Sequence, residues 1–292
     1  MVIVQQLVNG ITLGMVYALI AVGYSLVFGI LRLLNMAHGA VYAFGVHMVV
    51  LFLGIHFGLW PAVLLSIAAT GILSMLIDSV VLRPLRAKKS AGITHLISVI
   101  GVSYIIQNGM LVYFGSQRRS FPRLIELGNV EIGGIIITGT QLLIIVVSMI
   151  LLALLMLLIN KTKIGLAMRG TESNMKAATL MGINVKRVIT FTFFLGGISA
   201  AVAGILIASY YEMSFPTMGA DAGMKAFAAA VLGGIGVLHG SVFGGILVGV
   251  SEAMAVHFFG AGFRDAFAFV ILVLVLLIRP SGIFGKPMVT KV

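Results

Sequence analysis

Two histidine–glycine pairs stand where a very apolar chain would be expected to carry only leucine and valine. His38–Gly39 follows Asn35 in the stretch LLNMAHGAVYAFG, and His239–Gly240 lies about 200 residues later in AVLGGIGVLHGSVFGG. Imidazole and amide groups hydrogen-bond to solutes and water, and glycine lets a helix unwind and free its backbone groups. Such groups are tolerated at membrane depth only where they are buried in protein or face water. We therefore predict that Asn35, His38 and His239 lie on a solute pathway or at its gate.

Other chemistries have weaker support in the sequence. The chain has no cysteine, no HExxH pattern and no Gly-Lys-Ser/Thr phosphate-binding loop, so we expect no thiol, metal or nucleotide site in it. Ser241 follows the second histidine, but adjacency in sequence is not the geometry of a catalytic triad, and we do not expect an enzyme. Glu252 is the one fair candidate for ion coupling, and the sequence offers no obvious partner for its carboxylate.

Composition sets the environment in which these residues act. The 292 residues are 60% hydrophobic and only 9% charged, and the mean hydropathy is +1.17. Soluble domains typically carry about 25% charged residues, so lipid must solvate much of this surface. The net charge of +11 does not predict nucleic-acid binding, because lysine and arginine are spread between the apolar runs.

The apolar runs predict an all-α polytopic membrane protein with a single transmembrane domain over 1–292. Two further apolar regions, 33–59 and 222–258, are interrupted by glycine and polar residues, which indicates broken helices at matching places in two pseudo-repeated halves. Together these segments give about eight spans, since a helix needs about 20 residues to cross about 30 Å of hydrocarbon. The six uninterrupted runs are roughly 11–31, 61–82, 96–114, 140–160, 189–209 and 261–278.

Basic residues are concentrated in segments that can all lie on one side of the membrane. Cytoplasmic loops carry an excess of lysine and arginine, so this side should be cytoplasmic, with the C-terminus on it and the N-terminus outside. Segments 83–95, 161–188 and 279–292 hold these residues: Arg83, Arg86, Lys88, Lys89, Lys161, Lys163, Arg169, Lys176, Lys186, Arg187, Arg279, Lys286 and Lys291.

The loop 161–188 is the longest internal stretch that is not lipid-soluble. We predict a short helix over about 172–182, with Thr171 as its N-cap, Glu172 in its first turn and Gly182 as its C-terminal stop. Such a helix can lie on the membrane surface or dock into a groove of a partner protein. Three residues at three-residue spacing share one of its faces: Met175, Ala178 and Met181.

Three glycines at four-residue spacing, Gly236, Gly240 and Gly244, predict a close helix–helix contact. Small residues at this spacing let two helix backbones approach each other. The sequence leaves open whether the partner helix belongs to the same chain or to a second subunit.

Four motifs in order resemble those of the permeases of branched-chain amino-acid ABC importers. LLNMAHGAVYAFG resembles their Asn-x-Ala-His-Gly segment, and AMRGTESNMKAATLMGINVKRV resembles their cytoplasmic coupling loop. AVLGGIGVLHGSVFGG and IRPSGIFGK resemble their Gly-Gly-x-Gly and C-terminal motifs. The resemblance covers essentially the whole chain. Within the family, the chain resembles the shorter of the two permeases of the high-affinity leucine/isoleucine/valine system.

The resemblance implies a type II-like importer fold in a bacterial or archaeal plasma membrane. It also implies a second homologous permease, an external solute-binding protein and two cytoplasmic ATPases that hold ATP and Mg²⁺, so no cofactor is expected in this chain. Residues Glu172 to Gly182 would form the coupling element. Ala40 stands where such permeases often have an acidic residue, so no role for that acid carries over. A carrier for urea or short amides, and an ion-coupled secondary transporter, remain alternatives.

Overall fold

The computed structural model describes residues 1–88, 90–126 and 128–285, and helices make up most of them. Lys89, Lys286 and Lys291, which the charge analysis counted, lie outside the described residues. In chain order the α-helices are α1 (Val2–Leu31), α2 (His38–Gly54), α3 (Leu59–Leu76), α4 (Arg83–Ala87), α5 (Gly92–Phe114), α6 (Gly139–Lys161), α7 (Lys163–Ser173), α8 (Met175–Leu180), α9 (Val185–Tyr211), α10 (Met218–Gly233), α11 (Leu238–Phe259) and α12 (Arg264–Ile278).

Seven helices of the described chain are long and apolar enough to cross a membrane, and α2 is a shorter apolar helix. This agrees with the predicted all-α architecture of about eight spans. A six-residue π-helical stretch, Ile77–Leu82, joins α3 to α4, so that one of the seven runs without a break from Leu59 to Ala87.

Short strands close the loops at one end of the bundle. Two antiparallel pairs form, one between Arg119–Ser120 (β1) and Met213–Ser214 (β4), and the other between Val130–Ile132 (β2) and Ile135–Ile137 (β3). The second pair leads into α6, which begins with a capping box in which Thr138 and Gln141 satisfy each other's backbone N–H groups.

The predicted interruption at 222–258 is a real break in the helix. α10 ends at Gly233 and α11 begins at Leu238. Between them Gly234 and Gly236 have φ values of +100° and +90°, a conformation that glycine adopts without steric cost. Gly236 therefore lies in the break and not inside a helix, but it still packs on α1, where a β-carbon would lie 3.5 Å from the Gly29 Cα.

α1 is the centre of the bundle, and glycine contacts hold α11 against it. Nearly all of α1 from Thr12 onward is buried. A β-carbon on Gly245 would lie 2.8 Å from the Ala18 β-carbon, and one on Gly249 would overlap the Gly14 backbone. These two glycines pack α11 on α1, whereas Gly240 and Gly244 face α10. All these contacts lie within one chain.

The basic loops gather at one end of the bundle and the N-terminus lies at the other. Arg83 donates to Thr190 at the start of α9, at 2.6 Å, and Glu172 lies against Gly29 near the end of α1. We call this end the basic end. At the opposite end, the Gln5 side chain exchanges two hydrogen bonds of 2.9 Å with the Ile136 backbone. The structure thus sorts loops and N-terminus as the charge pattern predicts.

Candidate functional site

A cleft of about 220 Å³ lies where α1, α2, α5 and α10 meet. Its polar surface comes from Tyr24 of α1 and from one face of α5, which presents Ser103, Tyr104 and Gln107. Its apolar surface includes Met36, Ile100, Met224 and Phe227. Within the described chain no lining residue carries a charge. A cleft with this lining suits a solute that is apolar at one end and hydrogen-bonds at the other.

Two helices begin at this cleft. α2 starts at His38 and α10 at Met218, and the second and third residues of each helix line the cleft: Gly39, Ala40, Gly219 and Ala220. Neither helix has a side-chain cap. Helix N-termini carry free N–H groups and partial positive charge, which favour an anionic group such as a carboxylate.

The absence of side chains lets these two helix starts meet. A β-carbon on Gly223 would lie 3.0 Å from the Gly39 Cα and 3.5 Å from the Tyr24 hydroxyl. Any larger side chain here would separate α2 from α10 or fill the cleft. The glycine after His38, which the sequence analysis interpreted as a place for unwinding, instead permits close backbone contact inside a helix.

His38 is buried behind the cleft wall and is not among the residues that line the cleft. Its side chain is 1% exposed and packs between α1 and α9, since a β-carbon would meet the imidazole 2.8 Å away at Gly23 and 3.6 Å away at Gly196. Its ring lies 4.7 Å from the Tyr24 ring, centroid to centroid. His38 thus supports a lining residue.

Asn35 lies in the connector before α2 and is only 3% exposed. Both polar atoms of its side-chain amide lack a hydrogen-bond partner among the described residues. Its backbone carbonyl, by contrast, accepts from the His38 backbone N–H at 3.1 Å. A buried amide without partners is unusual in a folded protein. Asn35 and His38 are therefore neighbours beside the cleft.

His239 lies apart from this site. It is the second residue of α11 and is exposed, and its ring makes an edge contact with Phe284 at 5.7 Å between centroids. The two histidine–glycine pairs thus share a place at the start of a helix, but not an environment. The structure does not bring His239 to the cleft residues.

The cleft depends on residues that the sequence analysis did not single out, above all Tyr24, Ser103 and Gln107. Ser103 and Gln107 are four residues apart in an apolar helix and therefore lie on one face. That spacing is the signal in the sequence that could have indicated them. Tyr24 has no such signal, because only the packing of α1 against α2 and α10 turns it to the cleft.

The second candidate surface is the loop at the basic end, whose structure differs from the predicted single helix over 172–182. Two helices, α7 and α8, meet at Asn174, which caps α8 by accepting from Lys176 and Ala177 at 3.0 Å each. Thr171 is not an N-cap but lies inside α7, where its hydroxyl donates to the Ala167 carbonyl. Asn174, and not Thr171, is the N-cap because its short side chain reaches the free N–H groups of the next turn.

Burial also changes which side of α8 can meet a partner. Ala178 is 5% exposed and Met175 packs against the core. Met181 is 83% exposed and its neighbour Leu180 is 88% exposed. Glu172 is also exposed, in the last turn of α7, and Gly182 turns the chain with φ +83°. We call Leu180 and Met181 the α8 tip; Leu180 was not among the residues predicted from the sequence.

Glu252 has several partners, contrary to the expectation from the sequence. The carboxylate is fully buried and pairs with Lys225 at 3.1 Å and with Arg264 at 2.6 Å. It also accepts from the Tyr17 hydroxyl at 2.8 Å, and Lys225 pairs further with Asp265 at 2.6 Å. Two acids and two bases balance each other here. This cluster joins α1, α10, α11 and α12.

No group of three or more histidine, cysteine or acidic side chains that could bind a metal occurs among the residues described.

Comparison with known proteins gives a consistent match over nearly the whole chain. Residues 6–278 match a family described as "Branched-chain amino acid transport system / permease component". The chain is 40% identical, over 99% of its length and 97% of the relative, to the high-affinity branched-chain amino acid transport system permease protein BraD of Pseudomonas aeruginosa. It is 38% identical, with the same coverage, to the permease protein LivH of Escherichia coli K12.

A more distant relative extends the match to archaea. The chain is 27% identical, over 91% of its length and 88% of the relative, to a probable branched-chain amino acid transport permease protein LivH of Methanocaldococcus jannaschii. No solved structure matches the chain.

Proposed function

This chain belongs to the family of branched-chain amino acid transport system permease components, and on that premise we propose how it works. It is a membrane-spanning permease subunit of an ATP-driven importer. The solute is a branched-chain amino acid, and the cleft between α2, α5 and α10 forms this subunit's share of its path. The exposed α8 tip receives the force of ATP hydrolysis from a partner.

The lining of the cleft supports an amino acid as the solute. Met36, Ile100 and Phe227 offer apolar contact for a branched side chain, while the start of α2, which has no acidic residue in its first turn, favours the carboxylate. A path should not hold its solute tightly, and the described lining contains no charged side chain that would do so. Urea or a short amide would leave the apolar surface without a function.

The observation that carries the coupling role is the exposure of the α8 tip. Leu180 and Met181 are two large apolar side chains, both more than four-fifths exposed, at the end of a capped helix on the basic end. Apolar side chains presented in this way are typical of a helix that docks into a groove. We propose that the groove belongs to a cytoplasmic ATPase subunit, which holds the ATP and Mg²⁺.

The remaining partners follow from exposed surface and from the family. α5 presents a row of exposed apolar residues, Ile93, Ile97, Ile105 and Val112, and borders the cleft. We propose that a second, homologous permease covers this side and completes the path. An external solute-binding protein would deliver the amino acid at the end opposite the basic loops, and a second ATPase would serve the second permease.

We propose that the basic end faces the cytoplasm of a bacterial or archaeal cell, since cytoplasmic loops are rich in lysine and arginine. α12 leads to this end, where the Ile283 N–H donates to the Leu232 carbonyl at 2.9 Å. The C-terminus would then be cytoplasmic, although residues 286–292 lie outside the described chain.

The absence of cysteine from the sequence makes a direct test possible. Met181→Cys should react with a membrane-impermeant maleimide in inside-out vesicles only, and should cross-link to the ATPase when the transporter is assembled. Val130→Cys, at the opposite end, is the matched control and should react only from outside. Labelling of Met181→Cys from outside would contradict the proposed coupling role.

Transport itself is tested in proteoliposomes with all partner subunits. Leu180→Ser/Met181→Ser should abolish ATP-dependent leucine uptake while the subunit remains inserted and stable, because both side chains are exposed. Lys176→Ser, also exposed on α8, should leave uptake near that of the wild type. Normal uptake by the double variant would show that the α8 tip does not couple the two subunits.

A further inference from the structure

The helix from Leu59 to Ala87 changes geometry around a buried aspartate. Ile77–Leu82 is π-helical, and Asp78 in its first turn is fully buried. π-helical stretches are rare and occur mostly at functional sites. An unpaired carboxylate in this position would be strongly unfavourable, so its partners indicate what the distortion serves.

Three side chains surround the Asp78 carboxylate. One oxygen accepts from Arg86 at 2.5 Å, and the other accepts from the Thr190 hydroxyl at 2.7 Å. Arg83 lies 3.6 Å from the carboxylate and donates to the same Thr190 hydroxyl oxygen at 2.6 Å. We call these four residues the Asp78 cluster. Thr190 is its only member on α9, and it makes the connection between the two helices.

Farther from the basic end than the Asp78 cluster, α3 and α9 are in very close contact. A β-carbon on Gly197 of α9 would lie 2.7 Å from the Ser74 β-carbon and 2.9 Å from the Thr70 carbonyl oxygen. A β-carbon on Gly71 of α3 would lie 2.5 Å from the Phe194 ring. Close packing of this kind holds the two helices in register, and the Asp78 cluster is the polar contact between them nearer the basic end.

On the N-terminal side of Thr190, α9 is joined by a short connection to the α8 tip. α9 is capped by Asn184, which accepts from the Arg187 N–H at 3.2 Å. Only Gly182 and Ile183 separate that cap from Met181, and the Ile183 N–H donates back to the Ala178 carbonyl at 3.0 Å. Thr190 is therefore about one and a half helical turns from the cap that follows the α8 tip.

On the far side, α3 contacts the helix that starts at the cleft. The Ser66 hydroxyl of α3 donates to the Gly45 carbonyl of α2, and a β-carbon on Gly45 would lie 3.1 Å from the Thr70 hydroxyl oxygen. α2 begins at the cleft seven residues earlier, with His38. A continuous series of contacts thus runs from the α8 tip through α9 and α3 to the cleft.

We propose that the Asp78 cluster is the joint through which displacement of the α8 tip moves α3, and that Asp78 and Thr190 are positioning residues for energy coupling. This rests on the proposed function as an ATP-driven importer. The π-helical stretch places the carboxylate so that it faces α9, and among the described residues the Thr190 hydroxyl is the group of α9 that binds it. Without that bond the basic segment after α3 can part from α9 while the ATPase continues to work.

Thr190→Val is the decisive variant, because it removes the hydroxyl and keeps the shape of the side chain. The measurement is leucine transported per ATP hydrolysed in proteoliposomes with all subunits. We expect this ratio to fall by about fivefold or more, because the variant removes the bonds of the Thr190 hydroxyl to both Asp78 and Arg83 and the loss of one such bond is already worth about that factor, with ATP hydrolysis kept or raised. Thr190→Ser retains the hydroxyl and should restore the ratio.

Thr192→Val is the matched control, since Thr192 is buried on the same helix and, within the described part of the chain, its hydroxyl bonds inside that helix, to the Val188 carbonyl at 2.8 Å. It should leave the ratio unchanged. An unchanged ratio in Thr190→Val, or a proportional loss of uptake and hydrolysis, would overturn the role of the cluster and leave the importer function intact. Lack of ATP-dependent uptake by the wild type would overturn both.

Discussion

The Tyr24 ring lies 4.7 Å from the His38 imidazole, and of the two only Tyr24 lines the cleft. The histidine that the sequence marks most clearly therefore acts through its neighbour. It fills the space that Gly23 and Gly196 leave open and keeps the tyrosine in the wall. This relationship predicts a structural consequence for any change at His38.

His38→Ala should lower the free energy of unfolding by about 3 kcal/mol, because removal of a buried ring leaves a cavity. It should also reduce uptake, since Tyr24 loses its support. Thermal unfolding of the purified subunit in detergent and uptake in proteoliposomes measure the two effects. His257→Ala, at an exposed histidine, should change neither. Wild-type stability in His38→Ala would contradict the described packing.

Ala220→Phe should obstruct the cleft. Ala220 is an exposed lining residue in the first turn of α10, so a larger side chain extends into the cleft without disturbing the core. We expect uptake to fall about tenfold, equivalent to about 1.4 kcal/mol of added barrier, because the ring occupies space that the solute needs. Ala261→Phe, exposed and away from the cleft, serves as the control. Equal uptake by both variants would exclude the cleft as the path.

Glu252→Gln should destabilise the subunit by about 3 kcal/mol, because it breaks a buried ion cluster and leaves Arg264 without its carboxylate. Denaturation followed by circular dichroism in detergent measures this. Glu212→Gln is a matched control at an exposed pair with Arg123, where a loss below about 1 kcal/mol is expected. Similar losses in the two variants would show that the buried cluster contributes little.

The buried ion pairs of Glu252 also bear on the question of ion coupling. The Glu252 carboxylate is held in ion pairs with Lys225 and Arg264 that join three helices, so we expect it to have a structural role. Uptake driven by ATP should therefore continue when an uncoupler removes the proton gradient. A strict requirement for the gradient would favour the secondary-transporter alternative.

Gly249→Ala should destabilise the subunit, because its β-carbon would overlap the Gly14 backbone at the contact of α1 with α11. The cost of such overpacking is about 1–3 kcal/mol. Gly101→Ala, on an open face of α5 with no atom within 4 Å of the new β-carbon, should instead gain about 1 kcal/mol of helix stability. Thermal unfolding of both variants measures these changes. Equal destabilisation by the two variants would contradict the described contact between α1 and α11.

The sequence by itself determined the class of the protein, its helices and the sorting of its loops. Spans such as Gly139–Lys161 are evident in the sequence as long apolar runs. Lipid requires such runs to be helical, because a helix hydrogen-bonds its own backbone N–H and C=O groups. The charge of the loops placed the segments after α3 and α6 at one end. Glycine motifs marked the break between α10 and α11, since glycine adopts the positive φ of Gly234 and Gly236 without steric cost.

Only the tertiary structure decided which side chains face which surroundings. His38 and His239 have the same local motif, yet one is buried between α1 and α9 and the other is exposed beside Phe284. The exposure of Leu180 and the ion-pair partners of Glu252 likewise could not be predicted from sequence patterns. The physical reason is that burial and ion pairing depend on contacts between residues far apart in the chain, such as Tyr17 and Glu252, whereas a motif records only its neighbours.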